Sequence, residues 1–437
     1  MIEFDNLVTR LKQRLGLLPD HRTGKNIQYT IQDAGLSAFS VFFTQSPSFL
    51  AHQRAQVTAK GRSNAGSLFQ LEKIPSDNQI RSLLDPISPR HVYPLFDEIV
   101  QLLDQTGELE RFRVLNGQLL ISIDGVGYFS SKAIQCKNCQ QRTPASGDTT
   151  YFHTAITPVI VAPGQSQVIS LRPEFITPQD GHDKQDCERA AAKRWIKQQA
   201  GLFAPGSLTV LGDDLYSNQP LCLLMLAHNL NFILVCKPDS HKILYEWLAS
   251  LAASDDISQV VLRRFNGRFT EIVTCRFVEA VPLRGGADAL LVNWCEITIT
   301  HSQTGVQLYY NAFVTNHELT EQTVLPIAEA GRARWKIENE NNNTLKTKGY
   351  HLEHNFGHGQ QYLASFLLTL NLLAFLFHTV LELVDLYYQL LRQALAVRRT
   401  FFSDIETLTR YFYFDSWHHL LDFMIKQLEL NPTPDTS

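Results

Sequence analysis

Three carboxylates in this 437-residue chain stand where a divalent cation could be held. Asp124 closes the apolar run LLISI, Asp213 closes LTVLG, and Glu338 lies inside RWKIENENNNTLKTKGY. A carboxylate at the end of a buried strand cannot stay ionised in an apolar setting without a partner, because its charge has left water. Two such strands side by side would bring Asp124 and Asp213 together, and like charges that close are tolerated mainly when metal ions neutralise them. Hard oxygen ligands favour Mg2+, with Mn2+ as the alternative. The chemistry open to such a cage is phosphoryl transfer, in which metal ions activate an attacking oxygen and stabilise the leaving one.

The elements that must position these residues are legible as changes of periodicity. Residues 1–113 read as helical: NLVTRLKQRLGLL, then NQIRSLLD after the start signal Pro75-Ser76-Asp77, then YPLFDEIVQLLDQTG, with Ser-, Gly- and Gln-rich segments between. From Gly117 the texture turns to strand. LLISIDGVGYFSS leads through the polar loop CKNCQQRTPASGDTT to YFHTAITPVIVAPGQSQVISL, read as a hairpin about Ala162-Pro163-Gly164-Gln165. A helix over 185–200, the strand SLTVLG, a helix over 220–229 and the strand NFILVCK complete a mixed α/β pattern. Between 238 and 318 a β-rich block (VVLRRFNG, EIVTCRFVEAVPL, ALLVNWCEITITH, VQLYYNAFVTN) interrupts the order leading to Glu338. From 320 onward the chain reads helical again, ending in the polar tail NPTPDTS, expected to be disordered.

These changes divide the chain into a helical N-terminal domain (1–113), the first part of a catalytic core (114–237), a β-rich insertion (238–319), a helical completion of the core (320–383) and a helical C-terminal region (384–437). The N-terminal domain is a candidate recognition module for one partner, with no helix-turn-helix signature clear enough to name.

A hydrophobic content of 44% with 19% charged residues describes a globular chain and excludes wholesale disorder. The first residues carry acids and no long apolar core, so no secretory signal is read and the cytoplasm is expected. The stretch 362–383, YLASFLLTLNLLAFLFHTVLEL, approaches the length of a membrane span, but Ser365, Thr369, Asn371 and His378 interrupt it, and a buried core helix is expected. Seven cysteines in an odd, scattered set argue against a disulfide framework. Cys136 and Cys139 form a lone C-x-x-C, read either as a turn with two free thiols or as half of a zinc site.

The net charge of −4 speaks against indiscriminate binding of nucleic acid. Local clusters offset it: Arg189, Lys193, Arg194 and Lys197; Arg263, Arg264 and Arg268; and Arg332, Arg334, Lys336, Lys346 and Lys348 around Glu338.

Taken together, ISIDGVGYFSS, VAPGQSQVISLRPEFI with DKQDCERAAAKRWI, LTVLGDDLYSNQP and RWKIENENNNTLKTKGYHLEHNFGHG resemble bacterial insertion-sequence transposases of the DDE type. Those enzymes have a ribonuclease-H-like core split by a β-strand insertion. The matching segments span about Gly117 to Gly359 in the family's order, and the interval from 213 to 338 is long enough to hold the β-rich block. The resemblance implies a ribonuclease-H-like mixed sheet as the fold. It also implies Asp124, Asp213 and Glu338 as the catalytic, metal-binding triad. Double-stranded DNA would be the partner, as terminal inverted repeats and as target, with a homodimer acting on it and no membrane. The competing readings are a structure-specific nuclease on the same core and a catalytically silent, transposase-derived DNA-binding protein.

Asp214 rivals Asp213, but the family pattern puts an aromatic three positions after the aspartate, and Tyr216 fits Asp213. Glu340 rivals Glu338 within IENE. The family's Tyr-Arg-Glu-Lys signature is matched in part. Arg334 lies four positions before Glu338, on the same helix face, where its planar fork could meet a DNA phosphate. Lys346 and Lys348 are further candidates for the DNA backbone. The expected tyrosine is Gly331, and the expected lysine position holds Leu345. A one-residue π-bulge in Asn341-Asn342-Asn343 would bring Lys346 back into register. His351, His354 and His358 fall outside the triad and read as a structural or DNA-facing loop.

Overall fold

The runs LLIS, LTVLG and NFILV are apolar at nearly every position, the mark of strands covered on both faces. In the computed structural model, which describes residues 2–24, 27–145, 147–180 and 184–432, they lie side by side at the centre of one mixed sheet. In chain order the strands are β1 (Arg113–Val114), β2 (Gln118–Ser122), β3 (Gly125–Ser131), β4 (Gln140–Arg142), β5 (Thr150–Ile156), β6 (Val159–Val161), β7 (Ile169–Ser170), β8 (Glu174–Phe175), β9 (Leu208–Gly212), β10 (Asn231–Val235), β11 (Ser258–Phe265), β12 (Thr270–Pro282), β13 (Leu291–His301) and β14 (Gln307–Thr315). The large sheet runs β11-β12-β13-β14-β10-β9-β2-β6-β7.

Within it β2, β9 and β10 are parallel, while β6 and β7 return antiparallel on the far side of β2. Parallel neighbours need a crossover, and the helices Lys184–Gln199 and Gln219–Ala227 precede β9 and β10 as the sequence pattern requires. The expected hairpin about 162–165 is the β6–β7 pair, with Val159 opposite Ser170. The run that begins at 151 does not enter that hairpin, however. It breaks at Thr157-Pro158, and its first part, β5, joins β3, β4 and β8 in a second, smaller sheet.

The β-rich block lies against the core rather than apart from it. β14 pairs antiparallel with β10, Ile233 opposite Thr315, so the four-strand meander extends the main sheet and covers what would be an open edge. It also contains the helix Lys242–Ala253, which the strand-rich reading of 238–319 passed over.

The apolar stretch is the 22-residue helix Leu363–Val384. It is long and apolar enough to cross a membrane, yet 89% of its most apolar window is buried inside the protein. Its polar interruptions are met in part within that interior: Asn371 Nδ2 donates to the Tyr350 carbonyl at 2.8 Å and His378 Nδ1 meets the Tyr350 hydroxyl, while Asn371 Oδ1 and His378 Nε2 are buried without a hydrogen-bond partner. The helix Ile31–Phe43 lies along it. Small residues, Ala34, Gly35, Ser37 and Ala38, let that helix be buried nearly all round, which is why its helical period was masked in the sequence. Phe4, near the N-terminus, packs its ring 4.8 Å from Trp417 in the C-terminal region. The segments 1–113 and 384–437 therefore share one hydrophobic core with the central helix. Of the polar tail, 433–437 lies outside the described residues.

Candidate active site

Register brings two of the three carboxylates together. β2 and β9 pair in parallel with Ser122 opposite Leu211, and the Ile123 amide donates to the Leu211 carbonyl at 3.0 Å, so the ladder continues past both strand ends. Asp124 and Asp213 each follow two positions beyond that last pair, at the carboxyl ends of neighbouring strands about 4.8 Å apart. Short turns tether each side chain. Gly125 N–H donates to Asp124 Oδ1 at 2.9 Å, and Leu215 N–H donates to Asp213 Oδ1 at 2.9 Å. At Asp124 the chain leaves the main sheet for the small one, and the Thr157 amide closes this fork by donating to the Asp124 carbonyl at 3.2 Å.

Glu338 arrives from a segment with unusual winding. The helix Val324–Arg332 gives way to a 3-10 turn at Ala333–Trp335, a π-helix at Ile337–Asn342 and a short α-helix at Asn343–Thr347. π-Turns of this kind are rare and concentrate at functional sites. The π-turn lies earlier than the sequence reading put it: it takes in Asn341 and Asn342, but Asn343 already opens the following α-helix. Buried side chains fix the segment to the sheet. Ser122 Oγ donates to the Arg334 carbonyl at 3.2 Å, Thr157 Oγ1 donates to Asn342 Oδ1 at 3.1 Å, and Asn341 Nδ2 donates to Asn342 Oδ1 at 3.0 Å. The absent signature tyrosine also has a steric reason. A Cβ on Gly331 would come within 2.8 Å of the Phe313 ring and 2.9 Å of Ile233, which leaves no room for a larger residue.

The electrostatics join these pieces. Burial, followed by the charges of Glu188, Asp213 and Glu338, pushes the Asp124 carboxyl up to about 7 from 3.8, against the pull of Arg334. Burial likewise raises Asp213, against the Leu215 amide and Arg334. The group thus carries more negative charge than its one buried arginine balances, and a cation would relieve it. Arg334 is only 7% exposed; its Nη1 donates to Glu338 Oε1 at 3.2 Å, and its Nε is buried without a hydrogen-bond partner. Lys346 is ion-paired with Glu353 at 2.8 Å, and Lys348 is exposed.

Glu188 is the member that sequence reasoning missed. It lies on the helix Lys184–Gln199, is buried, and accepts a hydrogen bond from the Tyr216 hydroxyl at 2.8 Å. A Cβ at position 125 would come 2.7 Å from its carboxyl carbon, so the glycine after Asp124 is what admits it. The available signal was DKQDCERAAAKRWI, a segment noted for its resemblance but given no role.

The structure also separates the rival acids. Asp214 accepts from the Lys237 amide at 2.8 Å and Ser240 Oγ at 2.6 Å, and lies 3.4 Å from His241. Burial alone would raise it, but these bonds outweigh burial and hold its carboxyl below the ordinary value. Its stabilising contribution is therefore present above the unfolded pKa near ~4 and is lost as pH falls further. Asp214→Ala is expected to cost about 0.5–1.5 kcal/mol in urea unfolding, because the Lys237 amide, Ser240 and His241 lose a shared acceptor. Asp213→Asn should instead leave the metal-free protein as stable or more so, since burial raises the carboxyl it removes, and should weaken binding of a divalent cation at this site. The reverse pattern would make Asp214 the ligand. Glu338 is bonded to Arg334 and is among the principal charges acting on Asp124.

No family model matches the chain, and no curated protein matches it significantly.

Several basic residues singled out in the sequence are committed elsewhere. Arg194 binds Glu174 and Asp180, Arg264 binds Glu271 and Glu329, and Arg189 Nε donates to the Leu215 carbonyl at 3.1 Å, bracing the turn after Asp213. Of the three late histidines, His358 joins Cys136, Cys139 and His153 in a separate cluster.

Proposed function

We propose that this chain is a DDE transposase that cuts DNA at the ends of a mobile element and joins them to a target. The observation that carries the reading is that Asp124 and Asp213 end neighbouring parallel strands, while Glu338, bonded to Arg334, lies close enough for its charge to bear on Asp124. The strand order β7-β6-β2-β9-β10, with the first acid after the central strand, the second after its parallel neighbour and the third on a later helix, supports a ribonuclease-H-like core.

The donor chemistry, all carboxylate oxygens, suits Mg2+ or Mn2+, which Asp124, Asp213 and Glu338 would hold once drawn closer: among the described residues, the side chains with ligand atoms within 4.8 Å of one another do not include them. When bound there, the ions would supply charge neutralisation at the phosphate and activation of a water or 3′-hydroxyl. The chain's own part is to hold and orient. Arg334, bonded to Glu338, places a guanidinium charge beside the acids, where it would favour a phosphate. Glu188, held by Tyr216, adds negative charge beside Asp124 and so strengthens the attraction for cations. Lys346 would have to leave Glu353 to reach a phosphate, whereas Lys348 is exposed. No nucleophilic side chain is required, and a dimer would bring two DNA ends together.

The test supplies purified protein with Mn2+, precut DNA carrying the sequences that flank its gene, and a supercoiled plasmid. Joined end–plasmid products are expected. Cleavage of uncut ends without joining would replace the reading by a nuclease, and binding with neither product by a silent DNA-binding protein.

A further inference from the structure

Cys136 and Cys139 close a tight turn in the loop before β4, His153 projects from β5, and His358 comes from the loop that precedes the helix Leu363–Val384. From these four residues, we infer that the chain holds a structural zinc ion in a Cys2His2 site, independent of the carboxylate site. In a tetrahedral site with Zn–S near 2.3 Å and Zn–N near 2.0–2.1 Å, the ligand atoms lie about 3.8 Å apart for S–S, about 3.5 Å for S–N and about 3.3 Å for N–N.

The protein holds them at those separations. The two Sγ atoms are 3.8 Å apart; His153 Nε2 is 3.7 Å from Cys136 Sγ and 3.4 Å from Cys139 Sγ; His358 Nε2 is 3.3 Å from Cys139 Sγ and 3.1 Å from His153 Nε2. The remaining pair also falls within 4.8 Å. A disulfide would need the sulfurs at about 2.05 Å.

The surroundings are those of a ligand set rather than a chance meeting of side chains. The Gly359 carbonyl lies 2.9 Å from His358 Nδ1 and can only accept, so Nδ1 carries the proton and Nε2 offers its lone pair to the cluster. The Cys136 amide donates to Cys139 Sγ at 3.4 Å, the amide-to-sulfur bond that a tight Cys-x-x-Cys turn offers a metal-bound sulfur. Tyr128 stacks on His153 with ring centroids 5.6 Å apart, and the Phe129 ring lies 4.3 Å from His358, so apolar faces cover the imidazoles. Cys139, His153 and His358 are buried.

An ion there would fasten the loop that follows the Glu338 segment to the small sheet that begins at Asp124. That joint otherwise includes a hydrogen bond from Asn138 Nδ2 to the Gln361 carbonyl. The two ends of the acid-bearing chain would then share one clamp. Zinc here is structural, because four protein ligands leave no open position for substrate.

The test measures metal in the full-length protein purified after growth with zinc. About one zinc per chain is expected for wild type and for Asp124→Asn, and less than about a fifth of that for Cys136→Ser and for His358→Ala. If those variants fold poorly, the wild type still decides: exchange with Co2+ should give thiolate-to-cobalt charge transfer with the intense ligand-field bands of a four-coordinate site. Zinc-supplied wild type without stoichiometric metal and without those bands would overturn the inference, as would variants that keep full zinc. Loss of zinc binding leaves the carboxylate reading untouched, and failure of strand transfer leaves this one untouched.

Discussion

Asp124→Asn is expected to lower metal-dependent nicking of end-containing DNA by on the order of a thousandfold or more, while DNA binding stays within a few-fold. The size follows from position. Asp124 is the carboxylate on which the charges of Glu188, Asp213 and Glu338 all act, so it lies where a cation would be most strongly attracted. Asparagine keeps the shape and the oxygen that accepts from Gly125 N–H, and removes only the charge. A nicking time course beside a gel-shift titration separates the two effects. Retained nicking would take Asp124 out of the site.

The same substitution should make the metal-free protein more stable, which a purely structural aspartate would not do. Burial and like charges raise the folded carboxyl to about 7, so the folded chain holds this proton more tightly than the unfolded chain does. Ionising it then works against folding. The penalty is absent below the unfolded pKa near ~4, grows as pH rises and is complete above about 7. Asparagine cannot ionise, so with no divalent metal added its advantage should be about 1–3 kcal/mol at pH 8, after allowing for solvent screening, and should fade toward pH 4. Thermal unfolding across this range measures it. On the proposed function, added Mg2+ should reverse the ranking, because a cation held by the folded carboxylates would stabilise the wild type alone.

The second large effect separates neighbours. Glu338→Gln should reduce nicking by about a hundredfold or more, and Glu340→Gln by no more than about threefold. Only Glu338 both bonds Arg334 and adds its charge to Asp124. Partial recovery of the Glu338 variant at raised Mn2+ would mark the defect as weakened metal binding, whereas an equal loss in both variants would point to a damaged segment rather than a lost ligand. Which residue faces the acids depends on local winding, because each residue turns an α-helix by about 100° and a π-turn shifts that phase. IENENNN written out does not choose. Asn341 and Asn342, buried against Thr157, hold the winding that does.

Much of the frame was legible before any coordinates. The apolar runs ending in Asp124 and Asp213 read as strands, the turn at 162–165 as a hairpin and the stretch at 362–383 as a core helix, because burial writes a pattern into neighbouring residues. Where that pattern was blurred, the reading failed. The small-residue helix Ile31–Phe43 and the helix Lys242–Ala253 inside the β-rich block were both passed over, and the break at Thr157-Pro158 that sends β5 into a second sheet was not foreseen.

The sequence by itself determined the central strands and which of them end in carboxylates, since both are properties of a few adjacent residues. Only the tertiary structure decided that Glu188 enters beside Asp124 through the space left by Gly125, that the β-rich block extends the sheet, and that His153 and His358 meet the cysteine pair from strands and loops far apart. Those outcomes depend on strand register and on the summed packing of distant segments. No local period encodes either one.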